Sequence, residues 1–406
     1  MADPSAIVEP VPAVANGTFP APDAAGETVA AIAQAETVSA ADEIALYDRQ
    51  IRLWGLEAQN RIRNANILLV SIKALANEIA KNLVLAGIGS ITLADHEVVT
   101  EDDLGAQFFV SEADIGKNRA EAAAPQVQKL NPRVKVNVIT RDVRNEQLPA
   151  FYKSFDVIIG TDTDFLSLTT LNAGARIAER PFYAGSSHGF YGYIFADLGT
   201  HEFVIEREKS NRPTAKAAET ATRSVIDFQD KVENGKKIEM VTKRELYTPL
   251  MLAKDSPLPP DMQKDPRKLR KVHPLLTCIR TLWDYQRHGH GTFPSHSPAD
   301  LQFFTSLAME KHKELKLPAA TLQADFLKSF IGNLGSELAP VTAFLGGQLA
   351  QDVINILGKR EQPIQNLMLF DGEECAGPVY ALHPIFPDNP IPAVAAMPID
   401  APVMVI

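Results

Sequence analysis

Tyr47–Val99 reads YDRQIRLWGLEAQNRIRNANILLVSIKALANEIAKNLVLAGIGSITLADHEVV. Ile44, Tyr47, Ile51 and Trp54 fall on one helical stripe, so a helix is expected over Asp42–Trp54. Arg49 and Arg52, three apart, share a different face of it. A short helix over Glu57–Arg63 leads into Ile67–Val70, an unbroken apolar run of the kind a parallel sheet buries on both faces. Leu75, Ile79 and Leu83 mark the next helix, Gly87 its C-terminal cap, and Ile91–Asp95 the next strand. Strand, turn, helix, and a strand ending in an acid is the front half of a nucleotide-binding unit. One part is missing. The turn that would cradle a phosphate, Ser71-Ile72-Lys73-Ala74-Leu75-Ala76, has no glycine to give positive φ or to let backbone N–H groups approach an anion. This favours a βαβ unit that kept its packing and lost its pocket, with Asp95 left where a ribose-binding acid would sit.

Downstream, GKNRAEAAAPQVQKLNP (Gly116–Pro132) reads as a helix carrying Pro125, followed by strands at Val134–Thr140, Asp156–Gly160 and Pro181–Ser186, with a helix over Asp164–Glu179. The alternation gives an α/β, Rossmann-like fold: a largely parallel sheet flanked by helices, with an antiparallel extension and a helical insertion. GYIFADL and HEFVIER (Gly192–Leu198 and His201–Arg207) suggest an antiparallel hairpin. Residues 208–265 look polar and irregular, and 267–330 helical but broken by Gly289, Gly291, Pro294 and Pro298. A helix over Pro340–Leu357 precedes strands at Asn366–Phe370 and Pro378–Leu382. The implied organisation is a disordered acidic tail (1–40), an α/β part (41–207), an irregular and helical insertion (208–330), a return to the α/β domain (331–384), and a Pro-rich tail (385–406).

The net charge of −10 is local in origin. Residues 1–48 hold eight acids and no Lys or Arg, which leaves 42 acids against 40 basic residues elsewhere and gives no case for nucleic-acid binding. Two cysteines, Cys278 and Cys375, exclude a disulfide framework and a cysteine-rich zinc site. The nine histidines show no metal-ligand spacing, so no metal is expected; His288 and His290 sit in a glycine-rich loop. No run of 18 apolar residues and no signal peptide is apparent, which points to an intracellular protein without a membrane span. The Asn16 sequon is then a chance match. Cys278, within HPLLTCIRTLW, reads as a small buried hydrophobe. KDPRKLRK (Lys264–Lys271) reads as a solvated charged face or an import signal. The Pro340–Leu357 stripe, with Gly346-Gly347, reads as core in the first instance or as a dimer face. From the residues alone, Arg49 and Arg52 form a solvated face or pair with Asp48 and Glu57.

YDRQIRLWG, GKNRAEAAA, GFYGYIFADLGTHEF and PVTAFLGGQLAQDVINILG with LMLFDG together resemble the ubiquitin-like-protein activating enzymes, in patches over residues 42–382. LWGLEAQ, GAQFFV and LGTHEF are closer to the SUMO branch than to the NEDD8 branch. The resemblance implies an adenylation-type fold in two homologous halves, one of them degenerate, and the glycine-free turn marks this chain as the degenerate half. It implies no cofactor bound in cis, with Ser71, Ile72, Lys73 and Ala74 as the degenerate turn and Asp95 as a vestigial ribose acid. ATP and Mg²⁺ would be held mainly by a larger, catalytic-cysteine partner subunit, which would also engage the modifier, with the nucleus as the expected compartment and the cytoplasm as a second one. Arg49 would reach across to the partner-bound ATP phosphates, with Arg52 a second candidate. The alternatives are a NEDD8-activating regulatory subunit and a self-sufficient homodimer adenylating a sulfur-carrier protein; a nicotinamide oxidoreductase fits poorly without G-x-G-x-x-G.

Overall fold

A computed structural model describes residues 45–384 except 147, 212, 234, 290–292 and 296, and except the side chain of 233. Both tails, Asn16 and His290 therefore lie outside the described residues. The chain divides into two compact units between Leu53 and Trp54. Ala45 and Leu46 are helical, Tyr47 is a turn, and helix α1, Asp48–Trp54, follows, so the expected Asp42–Trp54 helix is present over its described residues but for that turn, and 42–44 lie outside them.

The second unit is built on an eight-stranded sheet. In chain order come α2 (Leu56–Asn64), β1 (Asn66–Val70), α3 (Ala74–Leu85), β2 (Ser90–Ala94), α4 (Arg119–Leu130), β3 (Lys135–Ile139), α5 (Pro149–Lys153), β4 (Val157–Thr161), α6 (Phe165–Ile177), β5 (Phe182–His188) and β6 (Tyr191–Asp197). After β7 (Thr200–Glu208), β8 (Arg223–Glu233) and β9 (Lys236–Leu246) follow three single helical turns between 250 and 269. Then come α7 (Leu275–His288), α8 (Pro298–Glu314), α9 (Ala324–Asn333), α10 (Ala339–Gly358), β10 (Leu367–Asp371) and β11 (Val379–Tyr380). The sheet order is β11-β10-β6-β5-β4-β1-β2-β3. Five strands, from β3 to β5, run parallel; β6, β10 and β11 extend the sheet antiparallel.

Strand alternation divides the core. Ile67 and Leu69 of β1 join α3 and α10 through Ile79, Leu83, Leu345 and Leu349. Leu68 and Val70 face the other way, toward Leu168 and Leu171 of α6 and Trp283 of α7. Because β2 and β4 leave β1 on opposite sides, the crevice at the strands' carboxyl ends opens between β1 and β4.

Two expectations fail. GYIFADL and HEFVIER form no hairpin: β6 lies between β5 and β10, and β7 belongs to a separate sheet, β7-β9-β8. The chain leaves the main sheet at Gly199, φ +61, and the hairpin partner of β6 is β5, joined at Gly189. Nor is 208–265 irregular, because β8 and β9 pair over their full length. Three of the four buried positions of β9 are charged, Val241 being the exception, so the period-2 apolar signal is weak. Buried Glu239 pairs with Arg207, Lys243 with Glu219, and Glu245 with Arg223. The Asn234-Gly235 dipeptide was the legible hint of this turn.

Adjacent glycines of α10 have opposite surroundings. A Cβ on Gly346 would lie 2.4 Å from Glu78 Cβ and 3.2 Å from the α3 backbone, whereas one on Gly347 would meet nothing within 4 Å. Gly346→Ala is therefore expected to cost roughly 1–3 kcal/mol by overpacking. Gly347→Ala should stabilise by about 0.5–1 kcal/mol through helix propensity. Urea unfolding of the two variants checks the opposite signs.

Candidate functional site

The turn after β1 keeps its shape without glycine. Ser71 itself takes the left-handed conformation, φ 68, at a strain of about 1 kcal/mol or more. Positive φ therefore survives, and what differs is where the N–H groups point. Ser71 N–H donates to Ala94 O (2.9 Å). Ile72 N–H donates to Asp95 Oδ2 (2.7 Å) and Ala74 N–H to Glu337 Oε1 (3.2 Å). Thr161 Oγ1 donates to Ser71 O (2.7 Å) and ties the turn to β4. Two donors that face a phosphate in an open turn are held here by the chain's own carboxylates.

Asp95 is spent as well. Beyond Ile72, its Oδ2 accepts from Arg119 Nη1 (2.9 Å), and its Oδ1 accepts from Glu97 N–H (2.9 Å). Arg119, with 4% of its side chain exposed, also reaches Glu97 (3.2 Å) and Asp103 (3.3 Å). Burial works against its charge, but the three carboxylates outweigh burial and hold its pKa above the ordinary value. GKNR thus supplies an N-cap, since Asn118 Oδ1 accepts from Glu121 N–H (3.1 Å), and an inward cation. On the nucleotide side, Ser71, Asp95, His96, Arg141, Asp142 and Arg144 line a void of only about 10 Å³. Arg144 fills it by bonding Asp142 (3.0 Å) and contacting His96 Nε2 (2.9 Å).

Between β1 and β4 a polar cavity of about 60 Å³ remains, lined by Lys73, Asp162, Ser187, His188, Trp283 and Glu337 among others. Drug-sized ligand pockets are of order 300–1,000 Å³, so it is too small for a nucleotide. Asp162 Oδ1 accepts from Ser187 N–H (2.8 Å) and Ser186 Oγ (3.1 Å). Asp162 Oδ2 and Ser187 Oγ have no partner among the described residues. Burial pushes Asp162 above the usual carboxylate range. Burial, then the Asp162 charge, pushes Glu337 up to about 7. Burial and Lys73 lower His188 to about 4. Sequence reading missed Glu337, which is 263 positions from the N–H it caps and carries no local signal.

The two candidate arginines differ. Arg52 Nε pairs with Asp48 Oδ2 (2.9 Å) on an exposed face, while Glu57 goes to Arg61 (2.5 Å). Arg49 is exposed and makes no ion pair among the described residues. Cys278 is buried, and burial pushes its thiol far above the ordinary value; Cys375 is exposed. His273, Asp371 and Glu374 converge, an arrangement the sequence did not reveal. His273 Nδ1 accepts from Leu275 N–H (3.2 Å), so in the neutral ring Nε2 carries the proton toward Asp371 (3.4 Å) and has no lone pair for a metal. His288 Nδ1 contacts Asp284 O (2.8 Å). Lys264–Lys271 folds around a helical turn capped by Asp265, with Lys268 paired to Asp261 (2.7 Å).

With an ordinary pKa of 4.5 and a folded value of about 7, Glu337 binds more protons folded than unfolded across that window. Its contribution is thus fullest below pH 4.5 and is lost as pH rises toward 7. Glu337→Gln should become progressively more stable than the parent from pH 4.5 to 7, by roughly 3 kcal/mol in total at about 1.4 kcal/mol per unit. Urea unfolding at several pH values reads the gap.

The ThiF family model matches residues 47–384, and the chain belongs to that family. It is 37% identical over 337 residues to the DNA damage tolerance protein RHC31 of Saccharomyces cerevisiae, covering 82% of this chain and 94% of that protein. It is 35% identical over 347 residues to SUMO-activating enzyme subunit 1 of Homo sapiens, covering 84% and 96%. The same subunit of Rattus norvegicus is 34% identical over 349 residues, covering 84% and 95%.

Proposed function

We propose that this ThiF-family chain is the non-cysteine subunit of a heterodimeric SUMO-activating enzyme, a pseudo-adenylation half that completes its partner's site. Relatives bearing the name SUMO-activating enzyme subunit 1 match across nearly their full length. The observation that carries the pseudo-adenylation reading is the donor inventory of the turn: Asp95 and Glu337 hold the N–H groups of Ile72 and Ala74. A phosphate would meet two carboxylates there, so the residues present do not fit ATP. The same observation counts against the self-sufficient homodimer.

In this reading the larger, catalytic-cysteine subunit binds ATP, Mg²⁺ and SUMO, and SUMO reaches this chain only through the complex. The SUMO carboxylate oxygen attacks the α-phosphorus, the α–β phosphoanhydride breaks, and pyrophosphate leaves; the partner's thiolate then displaces AMP to give the thioester. This chain contributes Arg49. A guanidinium stays charged and makes bidentate bonds to phosphate oxygens, so an exposed arginine offered in trans stabilises charge building on the leaving group. Arginine fingers are worth about 10³–10⁵ in rate. Arg52, held by Asp48, is the weaker candidate. The same reading places its action in the nucleus as a further proposal, with the cytoplasm as a second site.

Modifier-dependent ATP–pyrophosphate exchange by the purified heterodimer tests this. Arg49→Ala should slow exchange by about 10³-fold or more with the dimer intact, Arg52→Ala far less, and the lone chain should show none. Unchanged exchange by the Arg49→Ala heterodimer would remove the trans role.

A further inference from the structure

The polar cavity between β1 and β4 gathers acceptors that the chain's own contacts leave open. Asp162 Oδ2, Thr163 Oγ1 and Ser187 Oγ are buried oxygens, and none has a hydrogen-bond partner among the described residues. Ser187 is only 3% exposed. All three residues line the same space of about 60 Å³. Buried polar atoms are nearly always paired, so three orphans around one cavity point to a shared occupant.

The neighbouring groups narrow what that occupant is. His188 Nδ1 accepts from Gly335 N–H (3.4 Å), and its Nε2 faces Ser186 Oγ (3.3 Å). Neither ring nitrogen is left to ligate a transition metal. Glu337 Oε1 is taken by Ala74 N–H (3.2 Å), and Gln286 Oε1 by Phe165 N–H (3.0 Å). Two hydroxyls and one carboxylate oxygen remain, which suits a small cation with directed N–H donors.

Lys73 lines the same cavity. Its ammonium makes no hydrogen bond or ion pair among the described residues, yet its charge acts on Asp162, His188 and Glu337 alike. Lysine is a poor residue at this position, the N-cap of α3. A Ser, Thr, Asn or Asp there would accept from the free N–H groups, and a cation opposes the helix dipole. An ammonium on a flexible four-carbon stem carries three N–H donors, one for each orphaned oxygen.

We propose that Asp162, Thr163 and Ser187 form an ammonium site, and that its occupant is the Lys73 side chain of the degenerate turn, swung inward. Asp95 and Glu337 hold the turn's N–H groups, and its lysine takes the acceptors across the crevice. The crevice is thus filled from within the chain on both sides. The short tether gives Lys73 an effective concentration of about millimolar or more, which a free monovalent cation must exceed to displace it. The seating concerns the crevice alone, and the trans role of Arg49 stands or falls separately.

Acylation of the full chain by a limiting acetyl succinimidyl ester, read lysine by lysine by peptide mass spectrometry, tests this. Lys73 should react about 10-fold or more slowly than Lys153, which is exposed and makes no ion pair among the described residues. Asp162→Asn should bring Lys73 toward the Lys153 rate, and Ser187→Ala should raise it in part. Asparagine suits the position, because Asp162 takes φ 45, a left-handed conformation that Asn tolerates. Thermal unfolding checks that the variants fold, and if one melts early the other carries the comparison. Equal rates at Lys73 and Lys153 in the parent overturn the proposal, as does slow acylation of Lys73 that neither variant relieves. A melting temperature raised by potassium or ammonium chloride over choline chloride, with the rise lost in Asp162→Asn, also overturns it, because the occupant would then be a free cation. No partner, nucleotide or modifier enters the measurement, so its failure leaves the proposed function untouched.

Discussion

The buried contact between Arg119 and Asp95 decides what the strand ends of this sheet can do. A carboxylate at the end of β2 is expensive to bury, and in an open nucleotide site a ribose hydroxyl would share its lone pairs. Here Arg119 neutralises it, with side-chain exposures of 4% and 3%, and the Ile72 N–H completes its shell. Removing one member of such a pair strands the other as an uncompensated buried charge, worth about 3–5 kcal/mol. The pair therefore holds the Ser71–Ala74 turn against β2 through the Ile72 N–H. Glu337 does the corresponding work at the start of α3, where the helix dipole and free N–H groups favour an anion.

Loss of a pocket and retention of a fold are physically separable because they depend on different atoms. The sheet is held by alternation: Ile67 and Leu69 to one side, Leu68 and Val70 to the other, each against helices that bury them completely. Of these four residues only Val70 lines either void at the strand ends. The crevice is formed by residues just past the strand ends, Ser71 to Lys73, Asp95, Asp162 and His188, and these can change without cost to the layers below. Ser71 keeps the turn's backbone at a strain of about 1 kcal/mol or more, adopting at φ 68 the conformation glycine would have supplied.

Legibility in the sequence follows the same division. The order of β1, α3, β2 and β4 could be read because parallel strands buried on both faces are plain apolar runs. The absence of glycine was visible, but its stated consequence was half right: the turn kept positive φ and lost only its free donors. Asp95 could be flagged from its distance past β1, yet its spent state depends on Arg119, 24 positions on and brought over by α4. The β8–β9 hairpin was hidden because Glu239, Lys243 and Glu245 face inward and are satisfied by Arg207, Glu219 and Arg223. Ion pairs had replaced the apolar period that strand recognition relies on. Likewise β6 and β7, contiguous in sequence, are parted by the turn at Gly199.

Helix α10 joins these threads, because its two neighbouring glycines separate inward from outward requirements within one residue. Gly346 is forced by α3, whose Glu78 leaves no room for a methyl group. Gly347 is forced by nothing within this chain, although an alanine there would make the helix more stable. A residue that costs helix stability and relieves no internal clash is not explained by the packing of this chain. What a helical glycine is for is thus set by what stands opposite its Cβ, which no stretch of sequence around Gly346-Gly347 records.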